Sequence, residues 1–430
     1  MRLCLSMIFL LLSTALAHSD DFLVLHARVF DGEHTSDDQS VLVRNGKVEA
    51  IGRHLRSPRG IRIIDARGDT LLPGLIDAHT HIRSRTDLEQ SLVFGVTTDI
   101  SMLMDLALAT QEKVEQAANR ATDRADLISS GFCATAPGGH GTEYGLKFPT
   151  LSSPEEAQHW VDDRIAEGSD FIKIIYESGG DTGKGGRPSI DRATLQSLVL
   201  AAHARGKLAV VHIHTQVQAM EALEAGADGL AHLFAYGGDS IDPQFVPMVL
   251  AHHAFVIPTF TVLESVCNQS PGRIVLEDRH LRPYVLAEYI SQLNKNINHG
   301  QVQNCMFSMG AIPPLAAAHV PILAGTDAGN PGTAPGPSLH LELEYLVDAG
   351  LAPIQALAAA TSAPANVFHL ADRGRIAPGL RANLFLVRGD PTADIKATRD
   401  ILFVWKDGVL VDRQAWSRRA QEPPKNTTMP

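Results

Sequence analysis

Apolar and polar positions alternate through residues 22–76. The runs "FLVLHARVF", "SVLVRNGKVEAIG" and "RIIDARGDTLLPGLI" predict β-strands parted by Asp, Gly and Asn-Gly turns. The same texture returns at 382–411 in "ANLFLVRGD" and "DILFVWKDGVLV". Between these ends, short apolar strands alternate with longer stretches of helical period. Ser153-Pro154-Glu155-Glu156 predicts an N-cap, a first-turn proline and a capping-box glutamate. "IDRATLQSLVLAAHARG" stops at Gly206 and "QAMEALEAG" at Gly226, each before a new strand. Repeated strand–helix units make a parallel sheet, and about eight of them close into a barrel. The pattern therefore predicts an α/β fold. A (β/α)8 TIM-like barrel spans 77–373, beside a small β-sandwich domain formed from both chain ends, 18–76 and 374–418. Residues 419–430 read as a disordered tail.

The start of the chain has another character. Arg2, the apolar run "LCLSMIFLLLSTALA" and the small-residue site Ala15-Leu16-Ala17 together predict a signal peptide over 1–17, cleaved after Ala17. A membrane span needs about 20 apolar residues, more than this run supplies. The expected location is secreted or periplasmic, with no membrane attachment after cleavage.

Composition adds little to this. The hydrophobic share of 44% is ordinary for a globular protein. A net charge of −11 argues against a nucleic-acid partner. Cys4 leaves with the signal, and Cys133, Cys267 and Cys305 are too few and too scattered for a disulfide framework; at most one bridge can form.

Candidate chemistry comes from the strand ends, which face one pocket in such a barrel. "GLIDAHTHI" offers His79 and His81, spaced to lie on one face of a strand. "DFIKIIYESGG" buries Lys173 among β-branched carbon, a costly place for an ammonium. "KLAVVHIHT" offers His212, with His214 two positions on; "ADGLAHLF" offers His232, and "VPILAGTDAG" offers Asp327. Each has an ordinary explanation alone: a core histidine, a turn aspartate, a snorkelling lysine. Their coincidence at successive strand ends predicts a metal site. The glycine-rich 178–189 lacks the spacing of a phosphate loop and is expected to be a flap over the pocket. The segment 263–318 reads as mostly helical and is expected to wall the site.

The motifs "PGLIDAHTH", "FIKI", "VVHIH", "GLAHL" and "AGTDAGNPG", in that order, resemble the amidohydrolase superfamily. The likeness is to its binuclear, carboxylated-lysine subtype, in the imidazolonepropionase-like and Xaa-Pro-dipeptidase-like branch related to ochratoxin amidohydrolases. "SLHLELEYLVDAGLAPIQALAAAT" and "GRIAPGLRANLFLV" extend it over nearly the whole chain. The resemblance implies two divalent cations, with a CO2-derived carbamate on Lys173 bridging them. His79, His81 and Asp327 would hold one ion, and His212 and His232 the other, with His214 an alternative to His212. Zn is the first expectation from such donors, with Mn or Co as alternatives. Asp327 would act as general base and then acid. His140 in "APGGHGTEYG" and Tyr236 in "HLFAYGG" would contact substrate; a water-exposed loop histidine and a core tyrosine are their plainer readings.

The activity so implied is hydrolysis of an amide C–N bond in a small peptide or N-acyl amino acid, ochratoxin-type amides included, with water activated by the ions. The same centre acting on a lactone, cyclic imide or phosphotriester is the alternative. A non-catalytic binding protein on this fold is a distant third, because such proteins typically lose ligands that are all present here. The partner is a small-molecule amide or dipeptide; a homo-oligomer is compatible with the resemblance.

Overall fold

Asn45 and Gly46 both hold positive φ (49° and 74°), the geometry of a two-residue hairpin turn. They fold the strand Thr35–Arg44 back onto Lys47–Gly52. Asp407 and Gly408 (52° and 74°) do the same between Ile401–Lys406 and Val409–Leu410. These features belong to a computed structural model that describes residues 21–177, 187–236, 238–297 and 305–422. The signal segment 1–17, the greater part of the glycine-rich stretch (178–186) and residues 423–430 lie outside the described residues.

The two chain ends share one hydrogen-bonded sheet of eight strands. The join is antiparallel, with Leu384–Arg388 running beside Asp69–Pro73 from Leu384↔Pro73 to Arg388↔Asp69. Its apolar face collects Val24, Val41, Leu71, Leu384 and Leu386, and Phe22 stacks on Trp405 with ring centres 4.8 Å apart.

Two parallel sheets form most of the barrel. One contains Leu75–Thr80, Val96–Ser101 and Asp126–Ser129; the other contains Ile172–Ile175, Ala209–His212, Gly229–Ala231 and Phe255–Ile257. Backbone hydrogen bonds close both seams. Ala134 N donates to Lys173 O (2.8 Å) and Ile175 N to Ala134 O (2.9 Å). At the other seam Leu323 N donates to Val256 O and Ala78 N to Ala324 O, both 2.9 Å, so residues 322–324 complete the ring. Ile76, Ala78, Ile100, Val210, Ala231, Ile257 and Leu323 cluster together, while Ile172, Ile174 and Val211 cluster with helix residues Leu195, Leu198 and Val199. Strand alternation thus sends Ile172 and Ile174 outward and leaves Lys173 for the cavity.

The β-domain is fastened to the barrel by buried charge. Asp126, 1% exposed, meets Lys406 Nζ at 3.0 Å, Arg373 Nη1 at 2.5 Å and Arg381 Nη1 at 2.7 Å. Burial would raise its pKa, but the three cations hold it below the ordinary carboxylate value.

Two local expectations are corrected. Ser153 makes no side-chain cap bond, because the first turn, Pro154–Glu156, is a 3-10 turn; Glu156 Oε2 instead accepts from Ser152 N at 2.9 Å. Arg419 and Ala420, expected in a disordered tail, close the helix Arg413–Ala420, whose Trp416 Nε1 donates to Tyr284 O at 2.8 Å. The segment after the seventh strand is helical in its described parts: Phe260–Val266, Pro271–Glu277, Ala287–Leu293 and Ile312–Ala317.

Candidate metal centre

A cavity of about 390 Å³ opens at the C-terminal ends of the barrel strands. It is lined by His79, His81, His140, Lys173, His212, His232, Tyr236 and Asp327, every site residue the sequence singles out, together with His214.

The first group of donors is assembled by Asp77. The register between its strand and the next slips after Asp77, turning the strand end inward. The Asp77 carboxylate accepts from His79 N (3.2 Å), Thr326 N (3.0 Å) and Thr326 Oγ1 (2.7 Å), tying the two segments that carry ligands. Asp327 N donates to His79 O at 2.8 Å and the residue sits at φ 55°, a conformation that needs such support in a non-glycine residue. Gly325 makes the approach possible, since a Cβ there would come within 2.8 Å of His79 Cβ. Asp327 Oδ1 then lies 2.8 Å from His81 Nε2 and 3.4 Å from His79 Nε2.

The second group gathers around a residue that sequence reasoning missed. Glu177 Oε1 lies 2.5 Å from His140 Nδ1, 3.0 Å from His214 Nε2 and 3.1 Å from His212 Nε2. Its only sequence signal is an acidic side chain placed directly after the apolar run "FIKIIY". His212 and His214 do not exclude one another, for both rings reach the same carboxylate. His140 also meets Tyr144 OH through Nε2 at 3.1 Å.

His232 stands between the groups, its ring centre 4.6 Å from that of His79 and 4.7 Å from that of His212. Its Nδ1 is 2.7 Å from Thr259 Oγ1. Thr259 is followed by the helix Phe260–Val266, whose first amides, Phe260 N (2.9 Å) and Thr261 N (2.8 Å), donate to the buried Glu342. Tyr236 touches the second group by its ring, 5.8 Å from that of His214.

Electrostatics suit cation binding. Burial, reinforced by neighbouring positive groups, holds His79, His212 and His232 well below the ordinary histidine pKa, so these rings are neutral and carry a lone pair. Burial opposes charge on His140 too, but Glu177 outweighs it and raises that ring. Burial would raise Glu177, yet the three imidazoles bring it below its ordinary value. Lys173 is 3% exposed, its Nζ has no hydrogen-bond partner among the described residues, and burial lowers its pKa to about 7. Two sets of His and carboxylate donors, each set within 4.8 Å, beside an amine with no hydrogen-bond partner among the described residues, fit the binding of divalent cations.

The sequence profile of the Amidohydrolase family matches residues 70–411. An imidazolonepropionase from Cereibacter sphaeroides is 27% identical over 416 residues, covering 86% of this chain and 93% of that protein. The chain spans only 15% and 54% of the length of the first two dihydroorotases it matches. Among solved structures, a Xaa-Pro dipeptidase with bound methionine in its active site superposes with a TM-score of 0.72 at 21% identity, over 91% of this chain and 99% of that one. The ochratoxinase of A. niger gives 0.69 at 18% identity, over 91% and 96%. Likenesses at these identities show a shared fold.

Proposed function

This chain belongs to the amidohydrolase family, and on that premise we propose that it is an exported hydrolase of amide C–N bonds in small peptides or N-acyl amino acids. The observation that carries the proposal is the meeting of His79, His81, Lys173, His212, His232 and Asp327, from separate strand ends, in one cavity.

His79, His81 and Asp327 would hold one divalent cation and His212 and His232 a second, with Lys173 between them. Zn suits imidazole and carboxylate donors, with Mn or Co as alternatives. Such a pair, when bound, lowers the pKa of water and polarises a carbonyl. The remaining work falls to the chain. The neutral Lys173 amine adds CO2, forming an N–C bond and releasing a proton, which turns a buried neutral amine into an anionic oxygen donor. Asp327 takes a proton from the attacking water and returns it to the departing amine. Tyr236, and His140 once its Nε2 gives up the 3.1 Å contact with Tyr144, offer hydrogen bonds to a substrate carbonyl or carboxylate, with Glu177 holding the other ring nitrogen of His140. Arg187 lines the same cavity and, among the described residues, pairs with Glu143 at 3.4 Å, offering a cation to a free carboxylate. Val262, Leu263, Val266 and Ile297 supply an apolar wall for a side chain or aromatic acyl group, ochratoxin-type amides included.

Export is supported by the leading segment and by Cys267, which is disulfide-bonded, a state that persists in oxidising compartments. The test of activity is a panel of dipeptides and N-acyl amino acids assayed beside a lactone, a cyclic imide and a phosphotriester, with metal analysis of the same preparation. Amide turnover that disappears on chelation is expected. Turnover of the lactone, imide or ester alone would move the enzyme to that chemistry, and no bound divalent ion would end the proposal.

A further inference from the structure

Residues 328–336, between Asp327 and the helix Pro337–Asp348, form an irregular turn whose backbone groups need partners from elsewhere. Three of its carbonyls meet glutamine amides. Gln292 Nε2 donates to Asn330 O at 3.0 Å and Thr333 O at 3.1 Å, and Gln90 Nε2 donates to Pro335 O at 2.9 Å. Gly332 N donates to Gln292 O at 2.9 Å. The turn is tied back to Asp327, whose carbonyl accepts from Asn330 Nδ2 at 3.2 Å and Thr333 Oγ1 at 3.3 Å.

Both glutamines converge on one short helix, Ala287–Leu293, from the segment between the seventh and eighth strands. Gln292 belongs to it, and Gln90 Oε1 accepts from Leu286 N, directly before it, at 3.0 Å. The same helix reaches the other ligand-bearing segment. Tyr289 OH donates to Asp87 Oδ1, while Asp87 Oδ2 accepts from Arg83 N at 2.6 Å and Ser84 N at 3.0 Å, in the turn that follows His81. The two turns also meet directly, through Arg83 Nη2 to Gly329 O and His81 N to Ala328 O. Packing alone does not call for these polar groups. Tyr289 and Leu293 cluster with Phe94, Leu281 and Leu341, and a phenylalanine at 289 would keep that contact. Neither Tyr289 nor Gln292 lines the cavity.

We propose that Tyr289 and Gln292 are positioning residues for the ion of His79, His81 and Asp327, bracing from behind the two turns that follow its ligands. Donors must be held within about 0.5 Å of their working geometry, and a bare irregular turn does not supply that. Asp327 depends on such support most, because it sits at φ 55°. The inference rests on the two-cation reading and gives the helix Ala287–Leu293 a part in ion binding that its place outside the cavity does not suggest.

The experiment compares the full-length wild type with Tyr289→Phe and Gln292→Met, two variants that keep bulk and lose hydrogen bonds. Stepwise Zn²⁺ affinities come from chelator competition, with His79→Asn identifying which step belongs to the braced ion. That step is expected to weaken about 10-fold in each variant, the other step staying as in wild type. On an amide that wild type hydrolyses, kcat should fall with KM unchanged, since neither residue touches substrate. Hydrogen exchange of the metal-stripped protein reads the brace itself. The amides of Asn330, Gly332 and Thr333 should exchange at least about 10-fold faster in Q292M, with the strand Ala209–His212 unchanged. Wild-type affinity for the braced ion in both variants, whatever the exchange shows, would overturn the proposal and leave the two-cation reading intact. An equal loss at both steps would mark general loosening and overturn it as well. A wild type that binds no divalent ion would overturn both.

Discussion

Thr259 Oγ1 stands 2.7 Å from His232 Nδ1 while lying 2.8 Å from the Pro258 carbonyl, to which its own proton goes. The hydroxyl must therefore accept from His232, which fixes the proton on Nδ1 and leaves Nε2 as the free lone pair. Thr259 does this from φ 55°, an unfavourable region for a β-branched residue. Glu342, bonded to the two amides that follow, holds it there.

Replacing that hydroxyl should loosen the metal without touching a ligand. Thr259→Val is expected to lower divalent-ion affinity about 10–100-fold, the usual effect of removing such a support. Thr259→Ser should restore most of it. Competition with a chromogenic chelator measures both, and an unchanged affinity in T259V would show that His232 needs no such partner.

Lys173→Ala should abolish turnover, and short carboxylic acids added to the assay should restore part of it by occupying the space of the carbamate. The measurement is rate against acid concentration. Full metal content and full turnover in K173A would remove the lysine from the centre.

Asp327→Asn is expected to retain most of the metal through His79 and His81 yet lose proton transfer, lowering kcat by at least about 100-fold. Metal content and kcat are read on the same sample, and near-wild-type turnover would assign the proton to another group.

The pH dependence of stability should carry a contribution from Glu342. Burial, working against the donors from Phe260 and Thr261, raises its pKa from 4.5 to about 8 in the folded chain. Between those values the folded state holds a proton that the unfolded chain releases, so this stabilising contribution is full below 4.5 and is lost as pH rises through about 8. Denaturant midpoints of metal-stripped wild type and Glu342→Gln, measured across that window, should draw apart with wild type falling. Parallel curves would mean that Glu342 is already ionised at low pH.

The mature protein should begin at His18, reading His-Ser-Asp-Asp. Mass spectrometry of the chain recovered from an exporting host checks this, and an intact Met1 in the exported fraction would refute the cleavage site.

Much of this architecture is legible from side-chain period. The alternation around Lys173 places one amine inward between two outward isoleucines, and the spacing of His79 and His81 places two rings together. Other features depend on backbone turns that a residue pattern does not display. Glu177 enters the cavity because Tyr176 rotates toward Glu221, a helix residue distant in sequence. The left-handed conformations of Thr259 and Asp327 are imposed by Glu342 and Asp77, far away along the chain. The helix Arg413–Ala420 is too short and polar to announce itself, and it forms because Trp416 and Arg413 find partners on the barrel side at Tyr284 and Val93.

The ion cluster at Asp126 bears on how this chain can be handled. All three of its cations follow the last barrel helix, Ser362–Val367, and two of them, Arg381 and Lys406, lie past residue 373, the expected barrel limit, on the closing part of the chain. A chain trimmed to the barrel would strand a dry carboxylate with one arginine, a defect on the order of several kcal/mol. The reactive half is thus no portable cassette. Directed evolution, immobilisation or fusion will have to carry the flanking sheet along as part of the working machine.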